Sequence, residues 1–203
     1  MHFLITAGGT REYIDPVRFI TNASSGRMGY ALVQAALKAG HKVTLISASD
    51  LQPPVGIDFV GVDSAAQMFA AVKKFFAKCD CLIMAAAVAD YTVARPAKTK
   101  IKKTGRPLII KLKPTTDILR WAGKHKKKGQ IVVGFALEDK AIRTQAEKKR
   151  KEKNLDMIIA NTPAAIGAEK STIYIKKAES HWTKMENATK ITAARKIIAL
   201  LVR

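Results

Sequence analysis

The chain has 203 residues, a length that suits one domain with a substantial core and requires no second one. Its 36 Lys plus Arg against 16 Asp plus Glu leave a formal charge of +20, which points to nucleic acid, an acidic membrane surface or a polyanionic small substrate. The N-terminal apolar run is cut short by Gly8, Gly9 and Arg11, so neither a secretion signal nor a membrane span is expected and the chain reads as cytoplasmic.

In chain order, short apolar runs alternate with helical patterns. This predicts an α/β, Rossmann-like three-layer fold with a mostly parallel sheet, as one domain over 1–203. A strand over Phe3 to Ala7 is followed by a helix from Ser25 to Lys38, a strand from Lys42 to Ser47, a short strand from Ile57 to Val62 and a helix from Ser64 to Lys78. Cys81 to Ala87 is wholly apolar, as a strand buried on both faces should be. A basic flap around 91–107 precedes a strand over Leu108 to Lys113, a helix over Thr116 to Lys126 and a strand over Gln130 to Ala136. A helix over Ala141 to Lys151 and a strand over Asp156 to Ala160 lead to an antiparallel edge hairpin, Thr172 to Lys176 with His181 to Met185. The last helix is Thr189 to Leu201.

The segment from Asp15 to Tyr30 is the richest local signal. Ser24 and Ser25 are placed to cap a helix, Gly26 and Gly29 permit close approach to the backbone, and the helix start offers unpaired N–H groups. It is either a seat for a phosphate or carboxylate or an ordinary capped helix after a loop. The N-x-S/T sequences at Asn22 and Asn187 read as polar caps, without glycan meaning in a chain lacking a secretion signal. Cys79 and Cys81, with no second pair and no nearby His, read as reduced buried thiols and not as zinc ligands.

Twenty of the basic residues fall between Arg95 and Lys153. Lys124-His125-Lys126-Lys127-Lys128 and Lys148-Lys149-Arg150-Lys151 sit at predicted helix ends and read as solvated surface charge. Lys98, Lys100, Lys102 and Lys103 lie in a non-periodic segment near Gly105 and Pro107, and read as a mobile flap. Ligands of open α/β sheets collect at strand carboxyl ends. There the sequence places Gly8-Gly9-Thr10-Arg11, Ala85-Ala86-Ala87-Val88-Ala89-Asp90, Gly134-Phe135-Ala136-Leu137-Glu138 and Asn161. The alanines either leave a cleft for a flat base or ribose, with Asp90 at its mouth, or permit close helix packing.

Together these motifs resemble the phosphopantothenate-cysteine ligase family. The resemblance runs along nearly the whole chain. It rests on Thr-Ala-Gly-Gly-Thr-Arg-Glu, Asp-Pro-Val-Arg-Phe-Ile-x-Asn-x-Ser-Ser-Gly-x-Met-Gly, Ala-Ala-Ala-Val-Ala-Asp-Tyr, Lys-Ile-Lys-Lys, Gly-Phe-Ala-x-Glu and Lys-Asn-Leu-Asp-x-Ile-x-Ala-Asn. Because Met1 leads straight into the first strand, the likeness is to the stand-alone ligase, working beside a separate phosphopantothenoylcysteine decarboxylase. The resemblance implies that 4'-phosphopantothenate attacks the α-phosphate of CTP, with ATP the alternative nucleotide, in the presence of Mg2+, and that L-cysteine then displaces CMP from the acyl nucleotide. It implies catalytic roles for Lys100 at the triphosphate and for Arg18 and Asn22 at the acyl intermediate. Gly9, Ser25, Gly26, Ala86, Ala87, Asp90, Lys102, Lys103 and Phe135 are implied in nucleotide binding, no residue is implied as a metal ligand, and a homodimer is implied, with parts of one subunit near the other's site.

Two rival readings exist. An NAD(P)-dependent dehydrogenase would explain Gly8-Gly9 after the first strand. No GxGxxG follows, however, and none of Tyr13, Tyr30, Tyr91 or Tyr174 has a Lys four residues on. A nucleic-acid-binding protein would explain the charge, yet Trp121 and Phe135 are the main aromatics of the basic region and no recognition motif is visible. No membrane partner and no specific nucleic acid are expected.

Overall fold

The computed structural model describes residues 1–202. Twelve strands and five helices alternate in chain order. They begin β1 (His2–Ala7), β2 (Arg11–Tyr13), β3 (Phe19–Thr21), α1 (Arg27–Lys38), β4 (Lys42–Ser47), β5 (Asp58–Gly61), α2 (Ala65–Phe76) and β6 (Cys81–Met84). There follow β7 (Tyr91–Val93), β8 (Leu112–Pro114), α3 (Ile118–His125), β9 (Ile131–Leu137), α4 (Ile142–Glu152), β10 (Met157–Asn161), β11 (Lys170–Lys177), β12 (Thr183–Thr189) and α5 (Lys190–Leu201). The main sheet has the order β12-β11-β10-β9-β6-β1-β4-β5. Its six strands β5, β4, β1, β6, β9 and β10 run parallel, and β11 and β12 close one edge antiparallel. The expected Rossmann-like three-layer fold and its C-terminal edge hairpin are therefore found. No helix of the described residues is long and apolar enough to cross a membrane.

The alternation of buried side chains along each strand sends two sets of apolar groups to opposite faces. Phe3, Ile5, Cys81, Ile83, Met157 and Ile159 pack under α1 and α5, while Leu4, Leu82, Val132 and Ile158 pack under α2, α3 and α4. Gly29 lets α1 lie on β1, since a Cβ there would stand 2.5 Å from that of Ala7. Both cysteines are free and buried, as read from the sequence, and burial pushes the Cys79 thiol up to about 11.

Several expectations need correction. The first residue of α1 is preceded by Gly26 in the left-handed region, φ 76°, and no side chain caps the helix, so Ser24 and Ser25 are not caps. Glycine takes that place because the backbone turns left-handed, and a Cβ would collide with Ser49 at 2.7 Å. Neither sequon asparagine caps a helix. Asn187 has φ 47° within β12, and the neighbouring Thr189 caps α5 by accepting from the Thr192 amide at 3.1 Å. The apolar run from Cys81 leaves the ladder after Met84, because the Ala86 amide donates to Thr6 Oγ1 at 3.2 Å and Ala87 pairs with Gly9 as an isolated bridge. Of the expected strand Leu108 to Lys113 only Leu112 and Lys113 form strand, within β8 (Leu112–Pro114), which pairs with β7. β2, β3 and β7 escaped sequence reading because three residues carry no period.

Candidate active site

The principal cavity, about 560 Å³, opens over the carboxyl ends of β6, β9 and β10, where an open α/β sheet holds its ligand. The starts of α1, α3 and α5 border it; Asp117 caps α3 and Thr189 caps α5 by accepting from the Arg120 and Thr192 amides, while α1 has no side-chain cap, and the positive ends of the three helix dipoles lie at its rim. Its floor at Ala85, Ala86 and Ala87 is low, as a cleft for a flat group needs. Of the residues singled out from sequence, Asn22, Ser25, Gly26, Ala86, Ala87, Asp90, Phe135 and Asn161 line this cavity together.

Asn22 is held across the cleft floor. Its Nδ2 donates to the carbonyls of Ala87 at 3.3 Å and Val88 at 3.2 Å, so the turn after β3 is tied to the segment after β6. Gly9 does not line the cavity. It is a glycine because the Asn22 carbonyl lies 2.6 Å from where its Cβ would be, and any side chain would lift Asn22 from its seat. Ser49 Oγ donates to the Ser25 carbonyl at 3.1 Å, fixing the chain just before α1.

Arg18 and the arm lysines are placed differently. Asp15, 1% exposed, accepts from the amides of Val17 and Arg18 at 2.9 Å each, from the Ile101 amide at 3.1 Å and from the Arg18 guanidinium. That guanidinium, beside the carboxyl, holds Asp15 well below the usual carboxylate range; burial opposes it and the three amides add to it. Arg18 also donates to the Ile101 carbonyl at 2.8 Å. The pair therefore clamps the middle of the Lys-Ile-Lys-Lys motif. The segment read as a free flap is thus anchored at Ile101 and, through the Ala97 amide donating to the Ile14 carbonyl at 2.9 Å, at its beginning. Lys100, Lys102 and Lys103 are exposed and, like Arg18, are not among the residues lining the principal cavity of their own chain.

The cations that do line it were missed. Lys149 and Lys153, on and just after α4, face the cavity with Arg27 and Lys190. Lys149 Nζ donates to the Phe135 carbonyl at 2.9 Å, and Lys153 Nζ meets Asp117 at 2.8 Å. The reading of the Lys148–Lys151 cluster as solvated charge therefore fails at Lys149, whose charge burial disfavours; Lys153 pushes its pKa down further, while Glu138, Asp117 and Asp90 pull it up. Arg150, too, is turned inward, to Glu147 at 2.9 Å and the Leu155 carbonyl at 3.2 Å. A signal was present: Ile142, Ala146, Lys149 and Lys153 are spaced four, three and four apart, one inward helical face hidden within a basic run. Burial pushes Asp117 up, but Lys153 and the Arg120 amide outweigh it and its pKa is lowered. No cluster of three or more His, Cys, Asp or Glu suited to a metal occurs among the described residues.

The fold and this cleft define a Rossmann-like α/β protein whose main cavity is a cationic basin over the carboxyl ends of a parallel sheet. The sequence profile described as DNA/pantothenate metabolism flavoprotein C-terminal domain matches residues 1–203, and the chain belongs to that family. It is similar to the Coenzyme A biosynthesis bifunctional protein CoaBC of Bacillus subtilis (strain 168), 43% identical over 203 residues, covering 97% of this chain and 50% of the relative. The CoaBC of Borreliella burgdorferi is 37% identical over 201 residues, covering 98% of this chain and 51% of the relative. The chain thus spans about half the length of these relatives. Among solved structures, the C-terminal domain of a CoaBC superposes with a TM-score of 0.84 at 36% identity, covering 98% of this chain and 93% of that one.

Proposed function

We propose that the chain is a phosphopantothenate-cysteine ligase of coenzyme A biosynthesis. The observation that carries this reading is the juxtaposition of Asn22, the alanine floor and Asp90 with Lys149 and Lys153 in one cavity, in a chain that aligns over nearly its full length with CoaBC proteins. The reaction joins two anions, so the site must neutralise and align far more than it must attack. A phosphopantothenate carboxylate oxygen attacks the α-phosphorus of a nucleoside triphosphate, and pyrophosphate leaves. The cysteine amine then attacks the acyl carbon, loses its proton, and the nucleoside monophosphate leaves with the electrons of the broken C–O bond.

In this reading Lys149 and Lys153 supply positive charge at the nucleotide, Ala86, Ala87, Asp90 and Phe135 border it, and Ser25 and Gly26 face its phosphates. Asn22, an uncharged donor, faces the acyl carbonyl as its oxygen gains charge. CTP is preferred to ATP, following the resemblance to bacterial ligases of this size, and Mg2+ arrives with the nucleotide as part of the substrate. Arg18, Lys100, Lys102 and Lys103 serve the cleft of a second copy. This reading is supported by their position outside their own cavity and by the exposed apolar residues of the same arms, Val17, Phe19, Ile20, Tyr91, Ile109 and Leu112, which suit a homodimer contact.

The test is pyrophosphate release from CTP or ATP with Mg2+ and phosphopantothenate, followed by amide formation on adding cysteine. Release that depends on the acid supports the reading; no release with either nucleotide refutes it.

A further inference from the structure

Lys190 is the first residue of α5 and a half-buried member of the cavity wall, assigned no part in the reaction above. Its place follows from the sheet register. Thr189, at the end of β12, pairs with Lys170 at the start of β11, so the residue after Thr189 lies beside the chain that enters β11. That chain is the connection from Asn161 to Lys170, which holds a single turn of 3-10 helix, Pro163–Ala165, and a left-handed bend at Gly167, φ 73°.

Ala165, Ile166 and Gly167 of this connection form part of the cavity wall, although Ile166 is 47% exposed. Of its residues 163–167 only Ala165 is buried and the rest are exposed, so the wall stands on little packing of its own. Lys190 Nζ donates to the carbonyl of Ala168, the next residue after the bend. Among the described residues no carboxylate lies within 4 Å of Lys190, so no protein carboxylate pairs with its charge. A half-buried ammonium lacking a paired carboxylate is costly, and such a group persists where an anion in the adjoining space can offset it.

We infer that Lys190 is a positioning residue: it latches the 162–169 connection into the cavity wall and so sets the shape of the cleft for its anionic ligand. The inference rests on the proposed ligase reading for its kinetic form but not for its structural form. In Lys190→Met the latch and the charge are both lost, in Lys190→Gln a donor remains without charge, and Lys190→Arg keeps both.

Hydrogen exchange of the amides of residues 164–169 reads the latch without any substrate. Exchange in Lys190→Met should be about tenfold faster than in the parent while amides of β9 and β10 are unmoved, and Lys190→Arg should restore slow exchange. In the ligase assay Lys190→Met should raise KM for at least one of the two anionic substrates by about tenfold with kcat within about threefold, with recovery in Lys190→Arg. Lys190→Gln should recover the exchange protection but not the KM. Unchanged exchange in Lys190→Met overturns the latch, as does faster exchange spread over the whole protein with no rescue by arginine. A parent protein that releases no pyrophosphate defeats the ligase reading, while the exchange result still decides the role of Lys190.

Discussion

At the scale of single residues, the two groups with the clearest chemistry are Asn22 and Asp15. Asn22 Nδ2 donates to the Ala87 and Val88 carbonyls, and in the proposed reaction one N–H of this amide turns to the acyl oxygen; an aspartate there has no N–H to give and would set a negative charge against both carbonyls. Asn22→Asp should therefore slow amide formation about 100-fold, the size of effect expected for a lost oxyanion donor, and acyl nucleotide should accumulate in quenched reactions. Amide formation at the parent rate without accumulation would exclude the role. Asp15 acts at a distance, through Ile101. Because its folded carboxyl titrates below the ordinary 3.8, its contribution is complete above that value and is lost as pH falls through the lower, folded one. Slow exchange of the Ile101 amide should hold, after correction for intrinsic rates, from pH 8 down to about 4 in the parent. Asp15→Asn should lose it throughout that window. The motifs around Asn22 and Asp15 were legible because glycine, serine and asparagine in fixed order are rare. Lys149 was harder to read, because its inward spacing with Ile142 and Ala146 is hidden within a basic run.

At the scale of elements, the cleft depends on how helices meet the sheet and each other. Gly123 in α3 faces the end of α4, where a Cβ would come within 1.8 Å of the Lys153 carbonyl. Asn154, held at φ 53°, donates its side chain to the Gly123 carbonyl at 2.8 Å, so α3 and the residues that carry Lys153 are locked together. Gly123→Ala must push that junction apart. We expect a loss of about 1–3 kcal/mol in urea unfolding, together with weaker nucleotide binding by calorimetry, because Lys153 and its partner Asp117 move. Parent-like binding in a folded Gly123→Ala protein would uncouple the two. The long elements were readable: Lys42–Ser47 has the bounds its apolar pattern predicts, and Ser64 caps α2 with a reciprocal Gln67 contact. The three-residue strands β2, β3 and β7 were not, and β8 was placed only in part, since these strands are held by pairing with each other and not by any pattern of their own.

At the scale of the whole molecule, the charge of +20 acts in two directions. On the proposed reading it draws anionic substrates toward the cleft, and it strains the folded chain by self-repulsion. Raising salt from about 50 to 500 mM should lower kcat/KM for the nucleotide by about tenfold while raising the melting temperature, since screening weakens both effects. A kcat/KM independent of salt would remove the steering role. Sedimentation of the full chain tests the homodimer, and mixing Arg18→Ala with Lys100→Ala protein should recover part of the lost activity if each arm serves its partner's cleft. By itself the sequence determined the layered α/β fold, the order of the long strands and helices, and the residues of the alanine floor, because period, burial and turn chemistry are local properties that short windows carry. Only the tertiary structure decided that Lys149 and Lys153 turn inward, that Arg18 clamps Ile101 and leaves its own cavity, and that Lys190 reaches Ala168. Those are contacts between segments far apart in the chain, set by sheet order and helix packing; the helical spacing of Ile142, Ala146, Lys149 and Lys153 marks an inward face, but no local pattern encodes what that face meets.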